Sequence, residues 1–178
     1  MTASTTIGEI VAALSAEEVS CWRNLVPDLD AFFDVPLGEL YDSGLDFRLD
    51  CLKPENAPIV VVAWTSIQAG GVSAETHECM LSIATLNPAT FGSAETEDII
   101  ITFATIYGMP LCLTEEERVA KAENTGTDVP PSGWRCLEEK LGGLDNLRSM
   151  LASEEPDIAE LTRMLSATQE CGDSFSWE

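Results

Sequence analysis

The single histidine of the chain, His77, directly precedes Glu78 and Cys79. Zinc deaminases combine these residue types, but they place one residue between the histidine and the glutamate and add a distant Pro-Cys-x-x-Cys motif. Here the two residues are adjacent, and the sequence Pro-Leu-Cys that ends at Cys112 has no second cysteine within range. No pattern selects one of the six cysteines as a nucleophile activated by the histidine. The sequence therefore predicts no zinc site, no catalytic residue and a protein that is not an enzyme.

The acids between Asp28 and Glu39 imitate the spacing of a calcium-binding EF-hand loop. Phe32 and Phe33 occupy the fifth and sixth positions, where such a loop needs an oxygen ligand and a glycine. The Gly-Gly pairs of the chain match neither a dinucleotide-binding fingerprint nor a P-loop. We therefore expect no metal and no cofactor.

Acidic residues give the strongest functional signal. The chain has 31 Asp and Glu against nine Lys and Arg, and its formal net charge is −22, far beyond the roughly 2 to 8 units of a typical small domain. No Lys or Arg occurs between Lys53 and Arg118. Such a surface repels phosphate backbones and anionic membranes. We expect a basic protein surface as the partner, with no direct nucleic-acid or membrane binding.

The stretch 28–50 carries seven acids and one base, Arg48, among large apolar residues. Acids held on ordered structure with few bases imitate a row of phosphates, as in folded inhibitors of restriction enzymes and CRISPR effectors. The sequence therefore predicts a non-enzymatic nucleic-acid mimic that blocks a DNA- or RNA-handling complex. The predicted partner-binding residues are the seven acids of this stretch and three that open a later helix: Asp28, Asp30, Asp34, Glu39, Asp42, Asp46, Asp50, Glu115, Glu116 and Glu117.

Two alternatives use the same charge differently. An immunity protein, an antitoxin or a secretion chaperone would present acids to one basic partner and would anchor it with aromatic side chains. The candidate anchors are Phe32, Phe33, Tyr41, Phe175 and Trp177, although core packing is the preferred interpretation of the first two. The second alternative is an acidic surface that serves only to keep the protein soluble.

The cysteines stand singly beside apolar residues, with no Cys-x-x-Cys pair. This arrangement favours reduced core thiols and therefore a cytoplasmic protein. The first fifteen residues contain no basic region typical of a secretory signal. No apolar stretch approaches the ~20 residues that a membrane span needs.

Several helices are predicted by their first residues. Ser15 and Thr114 each precede a glutamate by three positions, which is a capping-box pattern. Apolar residues three and four apart predict a helix over 134–151, broken at its Gly-Gly pair, and a last helix beginning near Pro156. The segments 74–86 and 97–107 also favour helix, although the second contains a β-branched run.

Alternating apolar and charged residues from Leu45 to Cys51 predict a half-buried strand. The β-branched run from Ile59 to Val62 predicts a second strand, so 45–66 could form a hairpin. The expected fold is α+β: one helix-rich domain over 1–178 with a small antiparallel sheet, mainly α being the alternative. Within it we expect an N-terminal helical part, a core and C-terminal helices, at residues 5–42, 45–112 and 114–170.

Overall fold

Helices make up nearly all of the regular structure. The computed structural model describes residues 5–25, 29–36, 51–91, 93–125, 131–153 and 155–172; it is 73% helical, and these residues contain no β-strand. The fold is therefore mainly α. The helices are α1 Ile7–Val11, α2 Ala16–Leu25, α3 Ala57–Gln68, α4 Ala74–Ala84, α5 Thr96–Gly108, α6 Glu115–Thr125, α7 Pro131–Leu141, α8 Leu144–Leu151 and α9 Ile158–Gly172.

The predicted α+β fold with a hairpin at 45–66 is wrong. The run from Ile59 to Val62, predicted as a strand, lies inside α3, and residues 45–50 are outside the described residues. Pro58 stands in the first turn of α3, where a missing N–H costs no helical hydrogen bond. Most α3 side chains are buried, so packing on both sides of the helix outweighs the strand preference of β-branched residues.

The helix predictions from local signals are confirmed. Ser15 and Thr114 both form capping boxes, in which the hydroxyl accepts from a backbone N–H while the glutamate three residues later accepts from the cap's own N–H. The segments 74–86 and 97–107 form α4 and α5. The break between α7 and α8 lies at Gly142 and Gly143, whose φ angles of +69° and +83° are strained for other residues.

The helix α3 separates two hydrophobic clusters. One face of α3, with Val60, Ala63 and Ile67, packs on α1, α2 and the 3₁₀ turn Leu29–Phe32, and we call this group the small cluster. The other face contributes Val61 and Val62 to a large cluster that includes buried residues of α4, α5 and α7–α9.

All six cysteines form disulfides, so the prediction of reduced core thiols is wrong. The cysteines pair in order along the chain: the first with the second, the third with the fourth and the fifth with the sixth. The bonds are Cys21–Cys51, Cys79–Cys112 and Cys136–Cys171, with sequence separations of 30, 33 and 35 residues. The first cysteine of every pair lies within an α-helix of 10 or 11 residues. In the chain-entropy account, closing a loop of this length stabilises the fold by about 3–4 kcal/mol.

Candidate interaction surface

The predicted acids of the stretch 28–50 are only partly described. Asp28, Glu39, Asp42, Asp46 and Asp50 lie outside the described residues. Asp30 and Asp34 are exposed at and just after the 3₁₀ turn Leu29–Phe32.

Asp30 is paired rather than isolated. It accepts a hydrogen bond from Arg23 Nε at 3.0 Å, and the same guanidinium lies 5.6 Å from the ring centre of Phe33. Phe32 and Phe33 pack against the small cluster, as the core-packing interpretation predicts. The aromatic candidates Tyr41, Phe175 and Trp177 are outside the described residues.

The three acids that open α6 divide into two kinds. Glu115 and Glu116 are exposed, and they lie in the first turn, where the helix dipole stabilises negative charge. Glu117 is half-buried and makes hydrogen bonds inside the protein. Glu115 and Glu116 are therefore open to solvent, whereas Glu117 joins two helices.

Glu117 links the first turns of α4 and α6. Its carboxylate accepts from the backbone N–H groups of Ser73 at 2.7 Å and Thr114 at 2.8 Å, and from the Thr76 hydroxyl at 2.7 Å. Burial by itself would raise the pKa of Glu117, but these hydrogen bonds outweigh it and lower the pKa below its usual value. The ionised carboxylate is therefore part of the fold.

Glu18 on α2 likewise links two segments beside the small cluster, although the sequence indicated only its local capping role. Glu18 is 2% exposed, and its carboxylate accepts from Ser15, from the Lys53 backbone N–H at 2.7 Å and from the Asn56 side chain at 3.0 and 2.9 Å. Burial alone would raise the pKa of Glu18, but the hydrogen bonds from Ser15, Lys53 and Asn56 lower it to about 2. This carboxylate connects α2 to the segment that leads into α3.

An exposed apolar stripe runs along α5. Ile99, Phe103 and Tyr107 follow one another at every fourth position and are 39%, 47% and 48% exposed. Residues four apart lie on the same side of a helix, and the rings of Phe103 and Tyr107 have centroids 6.1 Å apart. The opposite side of the helix, with Ile101, Ala104 and Thr105, is buried. We call the three exposed side chains the α5 stripe.

The charges nearest the α5 stripe along the chain are all negative. Glu95 precedes Ile99 by one helical turn, and Glu97 and Asp98 lie in the first turn of α5. The stripe also lies in the part of the sequence that has no Lys or Arg, between Lys53 and Arg118. The stripe is therefore an apolar surface with acids at one end.

The sequence did not reveal the α5 stripe because α5 has apolar residues around most of its circumference. Its sequence, TEDIIITFATIYG, combines buried and exposed apolar positions. Periodicity identifies a helix face only when the opposite face is polar. Packing against the large cluster decides which apolar residues remain outside.

Further exposed apolar side chains occur on other helices. Trp64 on α3, Val119 on α6 and Leu25 at the end of α2 are 40%, 53% and 43% exposed. Single exposed apolar residues are normal on protein surfaces. Val119 therefore serves as a comparison for the α5 stripe.

Two ionisable side chains that could act in catalysis, Lys121 and His77, lie in partly buried sites within the fold. Lys121 on α6 donates to Gln68 Oε1 of α3 at 2.7 Å, and burial lowers the pKa of Lys121 to about 8. Burial also lowers the pKa of His77 from its usual value. No group of three His, Cys, Asp or Glu side chains that could hold a metal ion occurs in the described part of the chain.

Within the described residues, no single helix has both the length and the apolar character that crossing a membrane requires. One pair of helical segments, Thr96–Cys112 and Glu115–Asn124, passes that test together by length and composition, and it bends by 117°. No protein-family model matches the chain, and no curated protein or solved structure matches it.

Proposed function

We propose that the protein is a non-enzymatic binding protein whose α5 stripe holds a basic amphipathic segment of a partner protein. The observation that carries this proposal is the alignment of Ile99, Phe103 and Tyr107 on one exposed helix side. Aromatic residues are enriched at interface cores, and polar and charged residues form the rim around them. From Ile99 to Tyr107 the α5 stripe extends about 12 Å along the helix axis, which matches about two turns of a partner helix.

Charge complementarity selects the partner. A net charge of −22 repels a second copy of the same chain, a nucleic acid and an anionic membrane. A partner helix with Lys or Arg beside an apolar face would meet the α5 stripe with its apolar residues. Its bases would meet Glu95, Glu97 and Asp98. Long-range attraction by the remaining acids would speed the encounter.

The disulfides bear on which basic partner is proposed. Cytosolic reductants keep thiols reduced, and proteins with several structural disulfides work mostly in oxidising compartments. Three disulfides among the described residues therefore favour an oxidising compartment over the cytoplasm. A single basic partner protein suits that compartment better than an intracellular DNA- or RNA-handling complex. We therefore propose the single-partner alternative, and the nucleic-acid mimic stays a prediction.

A synthetic peptide tests the α5 stripe directly. The probe is a fluorescent 18-residue amphipathic helix of Lys and Leu, and the reference peptide has Glu in place of Lys. We expect the oxidised protein to bind the Lys peptide, to ignore the Glu peptide, and to bind less tightly as salt screens the charges. The double variant Phe103→Ser with Tyr107→Ser should bind on the order of tenfold less tightly.

The matched control is Val119→Ser, which removes a similarly exposed apolar side chain from α6. Neither variant alters the net charge, so equal affinity of both for the Lys peptide would contradict the α5 stripe as the site. Adsorption to neutral phosphatidylcholine vesicles that is lost only in the double variant would assign the stripe to a lipid surface instead. Displacement of a captured native partner by duplex DNA would restore the mimic prediction.

A further inference from the structure

The disulfide Cys79–Cys112 differs from the other two in burial. Cys51 is 8% exposed and Cys171 is fully buried, so each of the other bonds has one cysteine in the core. Cys79 and Cys112 are both partly exposed. Cys21 and Cys136 are partly exposed as well, so a thiolate reagent can reach one sulfur in each of those bonds. Only in Cys79–Cys112 are both cysteines partly exposed, so that either sulfur can be attacked or can leave into a solvated site.

Arg148 of α8 lies against this disulfide. Its Nη2 donates to Cys79 Sγ at 3.2 Å and to Ser82 Oγ at 3.0 Å. Among the described residues Arg148 forms an ion pair with Asp145, which lies 3.8 Å from Nη1 and is fully exposed, so this pair compensates the guanidinium charge only weakly. The Arg148 Nε–H is buried and has no hydrogen-bond acceptor among the described residues. A positive group with spare donors therefore faces the sulfur of Cys79.

We infer that Cys79–Cys112 is a thiol–disulfide exchange site, in which a dithiol reductant attacks Cys112 and expels Cys79 as a thiolate beside Arg148. An adjacent cation stabilises a thiolate, and a stabilised thiolate is the faster leaving group. The inference does not depend on the proposed binding function.

The exchange proceeds in two balanced displacements. A thiolate of the dithiol bonds to Cys112 Sγ, the disulfide breaks, and its electron pair leaves with Cys79 Sγ. The second thiol of the reagent loses its proton and attacks the reagent's first sulfur, which is bonded to Cys112 in the mixed disulfide. The bond to Cys112 breaks, and Cys112 leaves as a thiolate. The two protons that the reagent lost are taken up by the two cysteines, and the reagent leaves as a disulfide.

Reduction of Cys79–Cys112 would remove a covalent link between two segments that lie 33 residues apart in the sequence. The bond ties α4 to the 3₁₀ turn Met109–Cys112, which directly follows α5. The disulfide Cys21–Cys51 would still tie α2 to the segment before α3, and Cys136–Cys171 would still tie α7 to α9. The protein would therefore lose one constraint near the end of α5 while its remaining constraints persist.

The test is graded reduction of the oxidised protein by dithiothreitol, a neutral dithiol, without denaturant. Newly formed thiols are trapped with iodoacetamide and located by peptide mass spectrometry. We expect Cys79–Cys112 to open at least on the order of tenfold faster than Cys21–Cys51 and Cys136–Cys171. Opening of either other bond first, or of all three together, would overturn the inference.

The direction of attack is tested with 2-mercaptoethanol, which forms a mixed disulfide with the attacked cysteine. We expect the adduct on Cys112 and the iodoacetamide label on Cys79, and the reverse labelling would refute the assigned leaving group. The variant Arg148→Gln should lower the rate at this bond relative to the other two on the order of tenfold, and Arg148→Lys should restore much of it.

The control variant is Arg163→Gln, which removes a base that pairs with Glu160 on α9. It should leave the ratio of the three reduction rates unchanged. The other two disulfides of each molecule report any general loosening of the fold, because loosening would speed all three. An unchanged ratio in Arg148→Gln would show that Arg148 does not control the exchange.

Discussion

Glu18 and Glu117 occupy the same position of the same local motif in two different regions. Both are the fourth residue of a capping box, and both accept the backbone N–H of their cap residue at 2.8 Å. Glu18 is buried beside the small cluster, whereas Glu117 is half-buried at the surface between α4 and α6. Each also reaches a second segment far away in the sequence, at Lys53 for Glu18 and at Ser73 for Glu117.

Burial decides how much each of these two carboxylates stabilises the fold. At Glu117, water competes for the carboxylate, so each hydrogen bond contributes a modest net amount. At Glu18, the donors on Ser15, Lys53 and Asn56 would lose their acceptor in a site where water has little access. The two motifs look alike in sequence, but we expect Glu18 to stabilise the fold more.

The largest effect is expected at Glu18. Glu18→Gln replaces an anionic acceptor with an amide whose NH₂ group faces the donors of Ser15 and Asn56. We expect the free energy of unfolding to fall by about 3 kcal/mol, measured by urea unfolding at pH 7 and followed by circular dichroism. The control is Glu17→Gln, an exposed neighbour in the same turn, which should change stability by less than about 0.5 kcal/mol. Equal effects in both variants would contradict the structural role of Glu18.

The second effect is a pH dependence that belongs to Glu18. Its pKa is lowered from 4.5 to about 2 in the folded protein, so the unfolded chain binds this proton more readily. The contribution of the ionised Glu18 carboxylate to the free energy of unfolding is therefore complete above about pH 4.5, and it is lost as the pH falls towards 2. This shift corresponds to about 3 kcal/mol.

The measurement compares the native protein with Glu18→Gln in urea from pH 6 to pH 2. Subtracting the two plots of unfolding free energy against pH removes the contributions that are common to both proteins. These include the repulsion among the other carboxylates, which weakens as they become protonated at low pH. The difference in the free energy of unfolding should shrink as the pH falls below 4.5. A difference that stays constant down to pH 2 would mean that the carboxylate charge is not what stabilises this site.

The smallest effect is expected at Glu117. Glu117→Gln should lower the free energy of unfolding by about 1.5 kcal/mol, because the amide keeps one acceptor for the donors on Ser73, Thr76 and Thr114. The matched control is Glu116→Gln in the same helical turn, where only the interaction with the helix dipole changes, at about 0.5 kcal/mol. A loss at Glu117 as large as that at Glu18 would remove the distinction between the two sites.

The candidate surface could be predicted only in part. The net charge favoured a basic partner, which stays a prediction, and the absence of Lys and Arg between Lys53 and Arg118 is visible in the sequence. The α5 stripe could not be predicted, because Ile99, Phe103 and Tyr107 have the same residue types as their buried neighbours. Conversely, Glu117 was predicted to face a partner, but its oxygens accept hydrogen bonds from α4 and α6. Which acids are available depends on the donors that folding brings to them.

The disulfides show the same limit for the fold. The six cysteines were visible in the sequence, but neither their oxidation nor their pairing could be read from residues that stand singly. Cys79 and Cys112 are 33 residues apart in the sequence and have Cα atoms 5.8 Å apart in the fold. Only the packing of α4 against the turn after α5 brings them together.

Features that depend on neighbours within one helical turn, and those that depend on composition alone, could be predicted from the residues. These are the capping boxes at Ser15 and Thr114, the break at Gly142 and Gly143, and the overall charge, because each depends on residue type and short spacing. Packing between distant segments sets the helical state of α3, the cysteine pairs, the hydrogen bonds of Glu18 to Lys53 and Asn56, and the exposure of the α5 stripe. Each of these depends on burial or on contacts between distant segments, and local propensity is too weak to decide them.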